Sequence, residues 1–127
     1  MPTGPVHNAE VLCRFVYDGG QLRSSGTVKP QGFYPQRDTG RCSVVVGTTM
    51  NLNEVREYAA VHVTPNRGKP LMAHAHLRCA VAANEGLQVT YAEPPPNHAN
   101  IHGYAAAREK MMEQAQQLAA SATVVLV

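Results

Sequence analysis

The sequence contains no tryptophan, only two phenylalanines and only three cysteines among its 127 residues. Cys13, Cys42 and Cys79 are odd in number, widely spaced and free of any CxxC pair, so they do not form the even framework of a disulfide-stabilised domain. Each of them lies among apolar residues. We therefore interpret them as three reduced, buried thiols of a cytoplasmic protein.

Long hydrophobic segments are also lacking. No apolar run approaches the roughly 20 residues that a membrane-spanning helix needs. The opening residues, Met-Pro-Thr-Gly-Pro-Val-His-Asn, have neither the charged segment nor the apolar segment of a signal peptide. The sequence thus predicts a cytoplasmic location and no membrane partner.

A strong charge of either sign is absent as well. Charged residues make up 16% of the chain, the net charge is +2 and the pI is about 8.5. This balance is too mild to indicate binding to nucleic acid or to a membrane surface. A hydrophobic content of 44% is ordinary for a folded chain, and the length suits one domain over residues 1–127.

The hydrophobic patterns predict a single α+β domain, with four or five strands in a mixed sheet and two main helices packed on one face of it. Val11, Cys13 and Phe15 alternate with Leu12 and Arg14, as expected for a strand. The strands are expected at 10–17, 41–46, 71–77, 87–91 and 123–127, and the helices at 54–63 and 104–121, with Asn53 as the N-cap of the first helix and a short helix over 76–84.

The segment Pro-Pro-Pro-Asn-His-Ala-Asn-Ile-His-Gly, residues 94–103, is the most distinctive part of the sequence. Three consecutive prolines fix φ and remove three backbone donors, so we expect a rigid entry into a polar turn. His98 could act there as a general acid or base, with Asn100 orienting it or donating to an oxyanion. The alternative is that both side chains only satisfy the backbone of the turn.

Two further residues complete a catalytic hypothesis. Arg14 is the one charge inside the apolar run of the first predicted strand, where it is either an edge residue or a clamp for a carboxylate or phosphate. Ser43 or Ser24 could be a nucleophile, although no GxSxG pattern surrounds either serine. The hypothesis is a small hydrolase or transferase that uses His98 with Arg14 and Ser43.

A second hypothesis concerns the long loop over residues 21–41, which is basic and contains aromatic residues. Its candidate binding residues are Arg23, Lys29, Phe33, Tyr34 and Arg41. We expect this loop and the 94–103 segment to form the recognition surface of a non-catalytic binding or accessory module, which is our first prediction because no complete catalytic motif is present. The expected partner is a protein or a second copy of the chain, with a small molecule as the alternative.

A third hypothesis is a metal site. His74 and His76 alternate along a predicted strand, which places both imidazoles on one side about 7 Å apart, and His98 or His102 could supply another ligand. Two histidines on a solvated strand face are the simpler alternative. No cofactor motif is present, and we expect no cofactor.

The chain resembles an uncharacterised family of small bacterial proteins that carry a dEPPPxHANIxGW-type motif followed by an alanine-rich terminal helix. The resemblance rests on residues 10–16, 28–35, 68–71, 86–89 and 93–104. The sequence has Gly32 where that family usually has alanine, and Tyr104 where it has tryptophan. The family brings no activity with it, so the resemblance implies an intact fold and does not imply a function.

The same resemblance ranks the site candidates. His98 and Asn100 match the family motif position by position, whereas His102 stands where an aliphatic residue is usual. His74 and His76 stand where the family has an arginine and an aspartate, so a metal site would be peculiar to this chain. The resemblance therefore favours Arg14, Phe33, Ser43, His98 and Asn100 as site residues.

Overall fold

The computed structural model describes residues 3–127, and its centre is one sheet of six strands. The strands are β1 (Val11–Val16), β2 (Cys42–Val46), β3 (Ala73–Arg78), β4 (Gln88–Tyr91), β5 (His98–His102) and β6 (Thr123–Leu126), in the order β4-β5-β2-β1-β3-β6. Every neighbouring pair is antiparallel. The α+β class is confirmed, but the prediction of a mixed sheet with four or five strands is wrong.

The additional strand is β5, which we expected to be a polar turn. Its five residues alternate half-buried and buried, with Ala99 and Ile101 fully buried. This period-two pattern lets β5 pair with β2 on one side and β4 on the other. The three prolines end before the strand, so they do not remove any of its hydrogen bonds.

Three α-helices join the strands: α1 (Leu52–His62), α2 (Cys79–Asn84) and α3 (Arg108–Ser121). Asn51, and not Asn53, caps α1, because its side chain accepts from the Glu54 N–H while the Glu54 carboxylate accepts from the Asn51 N–H. This reciprocal pair is a capping box. None of the helices within residues 3–127 is long and apolar enough to cross a membrane.

The helices cover both faces of the sheet, which corrects the expectation that the two main helices share one face. Leu12 and Val16 of β1 belong to the core that contains α2 and α3. Cys13 and Phe15 belong to a second core that contains Val55 and neighbouring residues of α1. Because the central strand is apolar on both faces, each face needs its own cover.

Candidate functional site

The face of the sheet that packs against α1 is only partly covered. The apolar cluster under α1 draws its strand residues from β1 and β2 and none from β4 or β5. The polar side chains of β5 are therefore half-buried on this face: His98, Asn100 and His102. Ser43 lies on the same face because it is directly opposite Asn100 in the β2–β5 register.

Ser43 and His98 form a hydrogen-bonded pair on this face. The Ser43 Oγ atom is 2.7 Å from His98 Nε2, and His98 Nδ1 is 2.8 Å from the carbonyl oxygen of Ala92. A carbonyl oxygen can only accept, so Nδ1 must carry the proton. In the neutral imidazole Nε2 is then the acceptor, and the Ser43 hydroxyl donates to it. This is the arrangement of a serine with an adjacent base whose orientation is fixed by a third group.

A narrow cavity of about 30 Å³ lies beside this pair, which is room for a water molecule or two. Its lining includes Arg14, Tyr58 and Arg67 as well as the serine and the histidine. Arg14 and Arg67 also line an adjoining hollow of about 230 Å³, together with Lys69. The cavity beside the Ser43–His98 pair therefore shares two basic residues with a wider hollow.

Arg14 lies in a gap between β1 and β2. The two strands pair only at Leu12–Val46 and Cys13–Val45, and beyond that point Arg14 bridges them. Its Nε donates to the carbonyl of Gly32 at 2.9 Å and its Nη1 to the carbonyl of Ser43 at 2.8 Å. Of the five guanidinium N–H groups, the other three have no partner among residues 3–127. Arg14 thus fixes the backbone of Ser43.

The segment that joins β4 to β5 is held against α1. The Tyr58 hydroxyl donates to the carbonyl of Pro96 at 2.6 Å, and the Asn97 N–H donates to the Glu93 carboxylate at 2.6 Å. Burial, with a smaller contribution from the charge of Glu93, raises the pKa of Tyr58 to about 12, so its hydroxyl remains a donor. These contacts fix the segment that presents the Ala92 carbonyl to His98.

Asn100 does not line the cavity beside Ser43. It borders a separate hollow of about 320 Å³ with Arg41 and His102, where His102 Nε2 is 2.8 Å from the Thr90 hydroxyl. Three of the four predicted catalytic residues therefore share one cavity, and Asn100 is the exception. Its side chain is separated from His98 by two positions on the same strand face.

The 21–41 loop does not present the aromatic surface that its composition indicated. Phe33 is fully buried in the core, so it is a packing residue and not a contact residue. Arg23 is partly used within the loop, because its Nη1 donates to the carbonyl of Val28 at 2.9 Å. Tyr34 is half-buried and borders a groove along α3, and Lys29 is half-buried near the start of the 3-10 turn at Pro30–Phe33.

His74 and His76 do lie together, but the third member of their cluster is Cys13. The Nδ1 of His74 is 2.6 Å from the Nε2 of His76, which is 3.9 Å from the Sγ of Cys13. Burial, and then the charges of His76 and Arg56, lower the pKa of His74 to about 4. Burial also raises the pKa of the Cys13 thiol to about 12.

The expected partner from β5 is not part of that cluster. His102 is three strands away from β3 in the sheet order, or about 14 Å at the usual strand spacing. His98 is on the same distant strand and is bonded to Ser43. The strand register, which the sequence alone does not give, is what places Cys13 opposite His76.

Sequence reasoning missed several contributors to the Ser43–His98 site. Arg67 lies in a turn-forming Pro-Asn-Arg-Gly segment after α1, and Tyr58 lies on the apolar face of the predicted helix. Ala92 contributes its backbone carbonyl. A backbone carbonyl has no side-chain signature. Tyr58 and Arg67 offered no signal beyond their residue types.

No protein-family model matches the chain, and no curated protein or solved structure shows significant similarity to it. The resemblance to the EPPPxHANIxGW family therefore stays a prediction. The chemistry of the site must be argued from its own geometry.

Proposed function

We propose that the protein is a small hydrolase or acyltransferase in which Ser43 is the nucleophile and His98 is its general base. The observation that carries the proposal is the directional chain from the Ser43 hydroxyl to His98 Nε2 and from His98 Nδ1 to the Ala92 carbonyl. A serine hydroxyl is a weak nucleophile until an adjacent base accepts its proton. The fixed tautomer supplies such a base without any rearrangement of the ring.

The reaction follows from this chain of hydrogen bonds. Ser43 Oγ attacks the carbonyl carbon of an ester, a new C–O bond forms and His98 Nε2 takes the hydroxyl proton. The leaving alcohol departs with that proton, which leaves an acyl group on Ser43. Water, or another alcohol in a transferase, then attacks the acyl group while His98 accepts its proton, and the serine hydroxyl is restored.

Arg14 is a positioning residue of the proposed site. Its Nη1 holds the main-chain carbonyl of Ser43 at 2.8 Å, and its Nε holds the carbonyl of Gly32 at 2.9 Å. Contacts of this kind fix the backbone from which the nucleophile projects. The carbonyl of Ala92 orients His98 but carries no full negative charge, so we expect slower turnover than in enzymes whose histidine is paired with a carboxylate.

The substrate class that fits the surroundings is a small ester that carries an anionic group. The adjoining hollow is lined by Arg14, Arg67 and Lys69 against one carboxylate, that of Asp18. An arginine can bind a carboxylate or a phosphate in a bidentate manner. The cavity beside Ser43 is large enough for the reacting carbonyl group alone. The anionic end of the substrate would then lie in the wider hollow.

A second candidate function is the non-catalytic binding module that the sequence favoured. It is supported by the hollow of about 320 Å³ that Arg41 of the 21–41 loop shares with Asn100 and His102 of the 94–103 segment. A depression with these donors suits a polar ligand or the polar side chains of a partner. It would work by binding alone and would need neither Ser43 nor His98.

An esterase assay distinguishes the two candidate functions. We expect slow hydrolysis of p-nitrophenyl acetate and faster hydrolysis of an anionic counterpart such as p-nitrophenyl hemisuccinate. Ser43→Ala and His98→Asn should each lower kcat/KM by at least roughly a hundredfold, and the double variant should lose little more because the two groups act as a unit. Hydrolysis that persists in Ser43→Ala would contradict the proposal, and a parent protein that hydrolyses neither ester would favour the binding module.

Arg67→Ala tests the substrate class. Loss of a charge-assisted contact should raise KM for the anionic ester by roughly tenfold or more and leave the neutral ester unchanged. Arg37→Ala is the matched control, because Arg37 is exposed and lines none of the hollows around Ser43. Equal effects of the two substitutions would rule out a specific anion site at Arg67.

A further inference from the structure

We propose that Cys13, His74 and His76 form a buried three-ligand site for a soft, thiol-binding metal ion, and that this ion is Cu(I). The three ligand atoms lie within 4.8 Å of one another. The cluster is separate from Ser43 and His98, since it is built on β1 and β3. The inference therefore does not depend on the proposed hydrolase.

The sheet itself holds the ligands. Cys13 and His76 are directly opposite each other in the β1–β3 register, and His74 lies two positions earlier on the same face of β3. Ligands on central strands are more accurately positioned than ligands on loops. Cys13 and His74 are fully buried, while His76 is half-buried and leaves a route for the ion.

The distances are close to those that a bound ion requires. With metal bonds of about 2.3 Å to sulfur and 2.0 Å to nitrogen, a trigonal site separates sulfur from nitrogen by ~3.7 Å, near the 3.9 Å between Cys13 Sγ and His76 Nε2. The two histidine nitrogens are 2.6 Å apart, so the rings must open by ~0.9 Å to reach a trigonal arrangement. His76, the half-buried member, can make that adjustment.

The two imidazoles already form a hydrogen bond, because His74 Nδ1 is 2.6 Å from His76 Nε2. An ion bound at these two nitrogens would replace that hydrogen bond. The Nε2 atom of His74, which is buried and has no hydrogen-bond partner within residues 3–127, would then carry the proton of the ring.

The charge of the three ligands favours Cu(I) over Zn(II). Cys13 would bind as a thiolate, which releases one proton to solvent and leaves a neutral complex with Cu(I). No carboxylate joins the cluster within the described residues, so the Cys13 thiolate would be its one negative group. A Zn(II) complex would therefore keep a positive charge in a buried place and would want a fourth ligand. Thiolate and imidazole ligands suit Cu(I).

The experiment is an anaerobic titration of the reduced protein with Cu(I) against the chelator bicinchoninate. We expect one Cu(I) per chain and a thiolate-to-copper absorption band in the ultraviolet. Cys13→Ser and His76→Gln should each weaken binding by at least tenfold. Cys79→Ser is the matched control: it removes another buried thiol and should bind copper as the parent does.

His76→Gln also protects the test against misfolding, because it alters a half-buried residue and circular dichroism can verify its fold. No competition with bicinchoninate, equal binding by Cys13→Ser, or equal loss in Cys79→Ser would overturn the proposal. Zn(II) is titrated in parallel and should bind more weakly. Tighter binding of Zn(II) at the same three residues would overturn the assignment to copper.

Discussion

The packing around single residues is tight in this protein, and Gly32 is the clearest case. A Cβ atom added to Gly32 would lie 2.6 Å from Cγ2 of Val28, well inside van der Waals contact. Val28 is buried and cannot swing into solvent. Gly32 also presents its carbonyl to Arg14, so the packing at this residue is connected to the Ser43 site.

We expect Gly32→Ala to lower the free energy of unfolding by about 1–3 kcal/mol, because the added methyl group overpacks the core. Adding Val28→Ala removes the clashing methyl, so the double variant should lose less than the sum of the two single variants by about 1 kcal/mol. Gly47→Ala is the control, since its added Cβ would meet the nearest side-chain atom at 3.8 Å. Urea denaturation measures all four variants, and additive losses would contradict the proposed clash.

At the scale of elements, β5 and the segment before it depend on α1. Tyr58 of α1 donates to the Pro96 carbonyl, and that segment carries the Ala92 carbonyl that orients His98. A helix on one face of the sheet thereby holds the segment whose Ala92 carbonyl accepts from His98. Tyr58 and its pKa of about 12 give this link a pH-dependent signature.

Tyr58→Phe should cost about 1 kcal/mol at neutral pH through the lost hydrogen bond. The folded pKa of Tyr58 lies above the ordinary value of 10.0, so its contribution is complete below pH 10 and is lost as the pH rises from about 10 to 12. Over that window the parent should lose on the order of 2 kcal/mol more stability than the variant, because deprotonation removes the hydrogen bond and also leaves a buried phenolate.

Denaturation at several alkaline pH values measures this difference. Tyr34→Phe is the control, because the Tyr34 hydroxyl forms no hydrogen bond among the described residues and should leave the alkaline slope unchanged. Parallel stability curves for the parent and Tyr58→Phe would refute the link between α1 and the proline segment.

The elements were largely predictable, and their exceptions have physical reasons. Strong periodicity placed β1, β2, β4 and α3 within a few residues of where they lie. The β5 strand was missed because three prolines precede it and its outward positions are polar, although Ala99 and Ile101 carried the period-two signal. The start of α3 was placed four residues early because the apolar stripe begins at Tyr104, before the first helical residue at Arg108.

On the scale of the whole molecule, the pairing order of the strands decides which side chains meet. The order β4-β5-β2-β1-β3-β6 brings β5 beside β2 and so joins His98 to Ser43 across 55 residues of chain. It also places β3 beside β1 and so joins Cys13 to His76. Residue types could nominate Ser43, His98 and Arg14, but only the register could show that they share a cavity while Asn100 and His102 lie elsewhere.

The central claim, that His98 activates Ser43, is tested most directly by covalent labelling. A fluorophosphonate reacts with an activated serine and stays attached, so intact-mass analysis and peptide mapping identify the labelled residue. We expect one adduct per chain on Ser43, none in Ser43→Ala, and labelling at least tenfold slower in His98→Asn. A chain that takes up no label, or takes it up on another serine such as Ser24, would contradict the claim.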